Sequence, residues 1–457
     1  MWRSLSLCLA AVLAIGCSGG SAPGPSAPPV AQPAVTESPP RPSAQPSASP
    51  SPTAPAETRG PTPSPAPTDS GLPGVSFVRA DLAAGSRQGV SLDAGALVLD
   101  AGGLPDGTYT EQFGSRATIT YEYGTWTSAW SAAPFAFDEL IASWSAATPA
   151  GSWIEVEAQA RGTGRETKWY RLALWAASDG DIRRTTFSGQ DDRDASVAFD
   201  TIIRGRSAPP LDGHRLRLTL YRRPGSGATP RVAAVSAMVS RTSRYTIPSA
   251  WSGSEVDLAV PTLSQETHKG HYPEFDGGGE AWCSPASTAM VLRFFGTGPS
   301  PADLAQFPGG GHADGNVDHA ARYTFDWNYG GAGNWPFNTA YAAGYGLDGF
   351  VTRLRSLTEA QRFIEAGIPL IASINGELPG FLFTKTNGHL LVIRGFTASG
   401  DVISNDPAAL TNAATRKVYP RAGFEKVWLQ GSGGVVYVIR PPSVALPANV
   451  PGAPPNW

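Results

Sequence analysis

The chain has 457 residues, enough for two or three bodies with separate cores, and 35 Lys+Arg against 38 Asp+Glu give it a formal net charge of −3. That balance, with no run of basic residues, excludes a nucleic-acid-binding stripe. With six His and three Cys in all, any cluster of these residues is informative.

The N-terminus carries an address. Arg3 and the apolar run Leu5 to Ile15 read as a signal peptide over residues 1–16, too short for a comfortable membrane span. Ala14-Ile15-Gly16-Cys17, followed by Ser18-Gly19-Gly20, resembles a bacterial lipobox. The resemblance implies cleavage before Cys17, lipidation of its thiol and a place on the outer face of the cell membrane. Ala14 stands where that motif usually has Leu, so plain secretion is the alternative. Cys8 leaves with the signal and Cys17 is acylated, which leaves Cys283 as the one thiol in an oxidising compartment.

Residues 17–71 are rich in Pro, Ser and Ala and have no aromatic residue, so they read as a disordered linker. Residues 72–246 turn to period-two runs. In Trp153–Ala160, Ile154, Val156 and Ala158 share one face and Glu155, Glu157 and Gln159 the other; Ala117–Tyr123, Arg215–Tyr221 and Arg231–Val239 repeat the scheme. Gly, Asp and Pro turns between them argue for an all-β sandwich, and the pattern resembles galactose-binding-like jelly rolls. Trp126, Trp130, Trp153, Trp169 and Trp175 suit a sugar platform, but core packing is the favoured reading.

A joint at Ile247–Ser254 leads to residues 255–442, which read as α+β, and to a Pro-rich tail at 443–457. Ser284 as cap and Pro285 in the first turn predict a helix whose apolar stripe ends at Gly296. Ser300-Pro301 starts a second helix, and Leu357–Gly367 is a third. Pro369–Ile374, His389–Phe396, Val402–Ser404 and Val435–Ile439 read as strands.

Chemistry gathers around Cys283. A cysteine at a helix N-terminus meets unpaired N–H groups and partial positive charge, which favour a thiolate. Such a nucleophile needs a base that can later donate a proton. His389 follows Gly388 at the start of a strongly apolar strand, and Asp406 ends the next short strand, 406 − 389 = 17 residues on. Two adjacent antiparallel strands bring the pair together.

With these pieces in order, residues 258–440 resemble the peptidase-like family related to bacteriocin-leader-processing (double-glycine) cysteine peptidases, family thirty-nine of the papain-like clan. The matching segments are Val260-Pro261-Thr-Leu-Ser264-Gln265, Trp282-Cys283-Ser284-Pro285-Ala286, Ala366–Ile371, Gly388-His389 and Asn405-Asp406-Pro407. The resemblance implies a papain-like fold, Cys283 as nucleophile, His389 as general base, Asp406 as orienting acid and Gln265 as oxyanion donor, a role that contributes roughly 3–4 kcal/mol. It implies no cofactor. Gln265 and Cys283 are 283 − 265 = 18 residues apart, with Gly277-Gly278-Gly279 between. That spacing, and the absence of an exporter span, argue against leader cleavage and leave the substrate open.

Two histidine groups compete for notice: His268 and His271 with Asp276, and His312 with Asp314, Asp318 and His319. His268-x-x-His271 is not a recognised helical zinc pair and glycines surround it, so the expectation is a polar loop beside Gln265 and no metal. Tyr323–Phe337, with Trp327, Tyr329 and Trp335, reads as an aromatic cleft-side loop. The functional expectation is an exported amide hydrolase acting on a peptide or protein substrate. The alternatives are a non-catalytic surface lipoprotein that binds glycan through its sandwich, and a transglutaminase-like transferase.

Overall fold

The computed structural model describes residues 74–241, 249–307, 314–380 and 385–457. The signal peptide, Cys17, the linker, Ile247 and Pro248 of the joint, and His312 lie outside the described residues.

Among the described residues, fifteen strands from Val75–Arg79 to Arg231–Ser240 form two antiparallel sheets of seven and eight strands. Leu211–Arg222 is central in the larger sheet, between Ser152–Gly162 and Thr118–Thr127; Glu139–Ala147 lies between Thr201–Arg204 and Arg231–Ser240 in the smaller. The period-two pattern explains the inner face: Ile154, Val156 and Ala158 are fully buried. Glu155 and Glu157, on the opposite face, are nearly as covered. Arg217 clamps Glu157 with two bonds of 2.5 and 2.6 Å, and Tyr221 donates to Glu155 at 2.9 Å, so arginine stems and an aromatic ring roof these carboxylates. Trp126, Trp153 and Trp175 belong to the interior. Trp130 and Trp169 are half-buried beneath guanidinium groups, Arg215 at 4.5 Å from the first ring and Arg217 at 4.3 Å from the second.

The C-terminal region builds a third antiparallel sheet in the order Asp348–Arg353, Val435–Arg440, Leu370–Gly376, Thr386–Phe396, Val402–Asn405, Arg416–Tyr419. Around it lie α1 (Cys283–Phe294), α2 (Pro301–Ala305), α3 (Gly315–Thr324), α4 (Trp335–Ala343), α5 (Leu357–Glu365) and α6 (Arg421–Glu425). The caps of α2 and α5 follow the sequence: Ser300 closes a capping box with Asp303, and the Ser356 hydroxyl accepts from Glu359 N–H. Two local readings are corrected. The first helix starts at Cys283, with Trp282 as cap, and Ser284 Oγ shares a hydrogen bond with Tyr437 Oη at 2.9 Å instead of capping. The stretch read as the loop Tyr323–Phe337 holds the start of α4, where the Asn334 side chain accepts from Phe337 N–H and Pro336 sits in the first turn. No described helix is long and apolar enough to cross a membrane.

One hydrophobic cluster runs from the two N-terminal sheets into the C-terminal region. Phe337 of α4 stands between Trp144 and Trp175, at 6.0 and 5.2 Å between ring centres. Val351 N–H donates to Ser143 Oγ at 2.9 Å, and Arg353 pairs with Glu139 at 2.7 Å, both groups buried. Polar side chains stitch the same seam. Asp326 accepts from Thr186 N–H (3.0 Å), Thr186 Oγ1 (2.7 Å) and Asn334 Nδ2 (3.0 Å), while Arg184 donates to Arg322 O (2.8 Å) and pairs with Asp179 (2.7 Å). The segment read as a Pro-rich tail is packed at its end. Asn456 is buried and donates to Arg353 O, and Trp457 meets Phe363 at 4.9 Å between ring centres.

His214, on the central strand of the larger sheet, is buried, its Nδ1 has no hydrogen-bond partner among the described residues, and burial pushes its pKa down to about 4. The folded value lies below the unfolded one, so the unfolded chain binds the extra proton as pH falls from 6.5 towards 4, and stability falls with it. Half-buried Asp200 and Asp276 work in the opposite sense, since desolvation raises their pKa values to about 6 and about 7. The wild-type profile is therefore flattened. His214→Leu isolates the imidazole: the stability difference between the two chains is expected to change by about 3 kcal/mol between pH 7 and pH 4, measured by urea unfolding. Parallel curves would show that the neutral imidazole carries no such cost.

Candidate active site

Four segments converge beside the third sheet. Cys283 is the first residue of α1, and α1 lies along the strand Thr386–Phe396. One turn further on, on the same face, Ser287 Oγ donates to Leu390 O at 3.3 Å, so the face that carries Cys283 is turned towards the end of the strand that carries His389. Val392 pairs with Asn405 across the ladder, which sets Asp406 at the close of the neighbouring strand.

His389 Nε2 lies 2.8 Å from Asp406 Oδ1. The carboxylate also accepts from Ala408 N–H at 3.0 Å and from Tyr419 Oη at 2.5 Å. Burial alone raises the Asp406 pKa, but the charge of His389 and these hydrogen bonds outweigh it and hold the carboxyl below its usual value. An ionised carboxylate only accepts, so Nε2 carries the proton and Nδ1 is the basic nitrogen of the neutral ring. Tyr419 was not among the sequence candidates. It is fully buried, and burial together with the facing carboxylate drives its hydroxyl pKa far above the ordinary range. No local motif marks it: it lies 13 residues beyond Asp406 and reaches it only because Arg416–Tyr419 pairs with Val402–Asn405.

The long spacing from Gln265 to Cys283 is resolved by folding back. Residues Glu266–His268 and Gly279–Ala281 form two 3₁₀ turns packed on each other, and Trp282 Nε1 closes the loop by donating to Phe275 O at 2.7 Å. A Cβ on Gly279 would sit 2.4 Å from Gln265 O, so this close approach requires glycine. Gln265 N–H donates to Pro407 O at 2.8 Å, which ties its turn to the residue after Asp406. Its side-chain Nε2 donates to Glu280 O at 2.5 Å and, over the longer distance of 3.3 Å, to Glu266 Oε1. Asn405, also unforeseen, donates to Val260 O (3.1 Å) and Pro261 O (3.0 Å), holding the segment that leads into Gln265.

The sequence placed Cys283 at a helix N-terminus and His389 at the start of an apolar strand; both are buried, each 2 % exposed, and Cys283 belongs to the hydrophobic cluster. Such a site strengthens the His389–Asp406 interaction by excluding water.

The two histidine groups are rearranged. His268 and His271 come together with Asp318, while Asp276 lies against Gly331. His319 Nδ1 is 2.9 Å from Tyr341 Oη, and Asp314 accepts from Asn412 at 2.5 Å.

Comparisons with known proteins divide the chain at the same joint. Residues 76–240 match the Peptidase C39 N-terminal domain, and residues 257–435 match the Peptidase_C39 like family. A crystal structure of a C39-like peptidase from Bacillus anthracis is similar at 19% identity and a TM-score of 0.27, over 41% of this chain and 98% of that one. A carbohydrate-binding module of the beta-sandwich superfamily is similar at 10% identity and a TM-score of 0.17, over 36% of this chain and 56% of that one. No curated protein matches the chain.

Proposed function

From a chain whose residues 257–435 belong to the Peptidase_C39 like family, preceded by a Peptidase C39 N-terminal domain, we propose a papain-like cysteine peptidase or amide hydrolase that works through a thioacyl intermediate. His389 Nδ1 takes the proton of Cys283 Sγ, and the sulfur attacks the scissile carbonyl carbon. The oxyanion is met by the Cys283 backbone N–H and by the Gln265 side-chain amide, which exchanges its 3.3 Å bond to Glu266 for the oxyanion. His389 returns its proton to the leaving amine, then deprotonates the water that releases the acid and restores the thiol. Asp406 keeps the ring oriented and stabilises its charged form. The observation that carries this reading is the 2.8 Å bond from His389 Nε2 to Asp406, on a strand against which the helix headed by Cys283 is packed.

In the same reading the chain is exported and tethered by lipid on Cys17, so that peptide substrates are met at the cell surface. Its support is the run Ala14-Ile15-Gly16-Cys17 behind an apolar stretch. The chemistry is tested by alkylating the full chain with iodoacetamide at mildly acidic pH and locating the adduct by mass spectrometry. Modification of Cys283 is expected to be slowed roughly tenfold or more in His389→Ala. Equal rates in the two chains would remove His389 as the base.

A further inference from the structure

We propose that His268, His271 and Asp318 form a binding site for a divalent transition metal such as zinc, placed behind the turn that carries Gln265. The reading of His268-x-x-His271 as an unsuitable pair assumed an α-helix. The segment is a 3₁₀ turn, Glu266–His268, followed by a reverse turn through Lys269 (φ −54°, ψ 125°) and Gly270 (φ 78°), closed by His271 N–H donating to His268 O at 3.0 Å. That turn brings the chain back on itself, and the two imidazole rings lie 5.6 Å apart between centres. α3 then brings Asp318 against both rings: His268 Nδ1 is 3.0 Å from Oδ2, and His271 Nδ1 is 3.0 Å from Oδ1.

The donor atoms of the three residues lie within 4.8 Å of one another. Tetrahedral zinc with ligand bonds of about 2.0–2.1 Å needs donors about 3.3 Å apart, close to the two separations of 3.0 Å. The chemistry also fits. Two imidazoles and one carboxylate suit zinc, cobalt or nickel better than calcium or magnesium, which prefer oxygen. Asp318 is 1 % exposed and turns one oxygen to each ring, so its carboxylate is already aimed at the space between the imidazoles. In binding, each neutral imidazole shifts its proton from Nδ1 to Nε2 and gives the Nδ1 lone pair to the metal, so no proton is lost and one carboxylate charge offsets part of the cation's. Three protein donors leave a fourth position for water.

The site would pin the Gln265 turn to α3. Gln265 immediately precedes that turn, and the His268 ring lies 6.2 Å from that of Trp282, the residue before Cys283. The proposal does not depend on the catalytic reading, because its test uses binding and stability. The full chain, stripped with a chelator and returned to zinc, is expected to retain about one zinc per chain by elemental mass spectrometry after gel filtration, against about a tenth of that in His271→Gln and Asp318→Asn. Cobalt(II) is expected to give visible absorption bands of tetrahedral type in wild type only. Zinc at a hundredfold excess over Kd is expected to raise Tm by a few degrees in wild type and not in His271→Gln, whose partly exposed ring makes the variant tolerable to the fold. A wild-type chain that keeps no zinc, gives no cobalt bands and melts unchanged would leave only a hydrogen-bonded trio. Equal binding by wild type and both variants would put the metal elsewhere, and either result overturns the proposal.

Discussion

Replacing Cys283 by alanine is expected to lower kcat on any peptide the chain cleaves by roughly a millionfold, to the level that binding and the oxyanion donors supply on their own. His389→Ala is expected to cost about as much, because sulfur and ring act as a unit, and the double variant should be scarcely worse than either single one. Asp406→Asn keeps the shape but cannot accept from both Nε2–H and Tyr419, so roughly a ten-thousandfold loss is expected there. The measurement is single-turnover kinetics on hits from a peptide library screened against wild type and Cys283→Ala in parallel. Loss of one small buried sulfur costs about 1 kcal/mol of stability, so the variant remains folded at assay temperature. Turnover by Cys283→Ala within tenfold of wild type would end the nucleophile assignment.

Asp326→Ala is expected to destabilise the whole chain by about 3–5 kcal/mol. The carboxylate is fully buried and accepts from Thr186 N–H and hydroxyl, from Asn328 and Tyr329 N–H, and from Asn334. Removing it strands these donors where water cannot replace the acceptor. Arg184→Ala attacks the seam from the other side: it removes the nearest of three arginines around Asp179, leaving Arg183 at 3.5 Å and Arg322 at 3.4 Å, and frees the Arg322 carbonyl, at an expected cost of about 1–3 kcal/mol. Because Phe337 sits between Trp144 and Trp175, tryptophan fluorescence and far-ultraviolet circular dichroism should report one coincident transition in wild type and in both variants. A cost under about 1 kcal/mol, or two separated transitions, would show that the regions are only tethered.

The sequence carried the parts of the fold that repeat. Alternation marked the strands around Ile154 and Leu216, and Ser300-Pro301 announced a helix through its cap. α4 escaped because its residues are apolar on nearly every side, so no stripe distinguishes a buried helix from an aromatic loop. Asn334 with Pro336 was the signal that could have found it. In the site, Cys283 opens α1 and Asp406 follows a short strand, positions the sequence marked, whereas His389 is the fourth residue of its strand, which begins at Thr386 and not at His389. Tyr419 and Asn405 were not marked, since their roles depend on strand register. The seam was hidden for a different reason: Arg184, Asp326 and Thr186 look like surface residues until two regions bury them together.

The last residues of the chain reach back to the first described strand. Phe77 N–H donates to Pro455 O at 2.9 Å, and the Arg355 guanidinium bridges Val75 O and Pro454 O at 2.8 and 2.5 Å. Strand Val75–Arg79 pairs along one edge with Arg231–Ser240, and its other edge waits for a partner 455 − 77 = 378 residues later. Closing so long a loop is entropically slow. Until residues 454–455 dock there, that edge stays open, a period in which a holding chaperone has an exposed strand edge to protect.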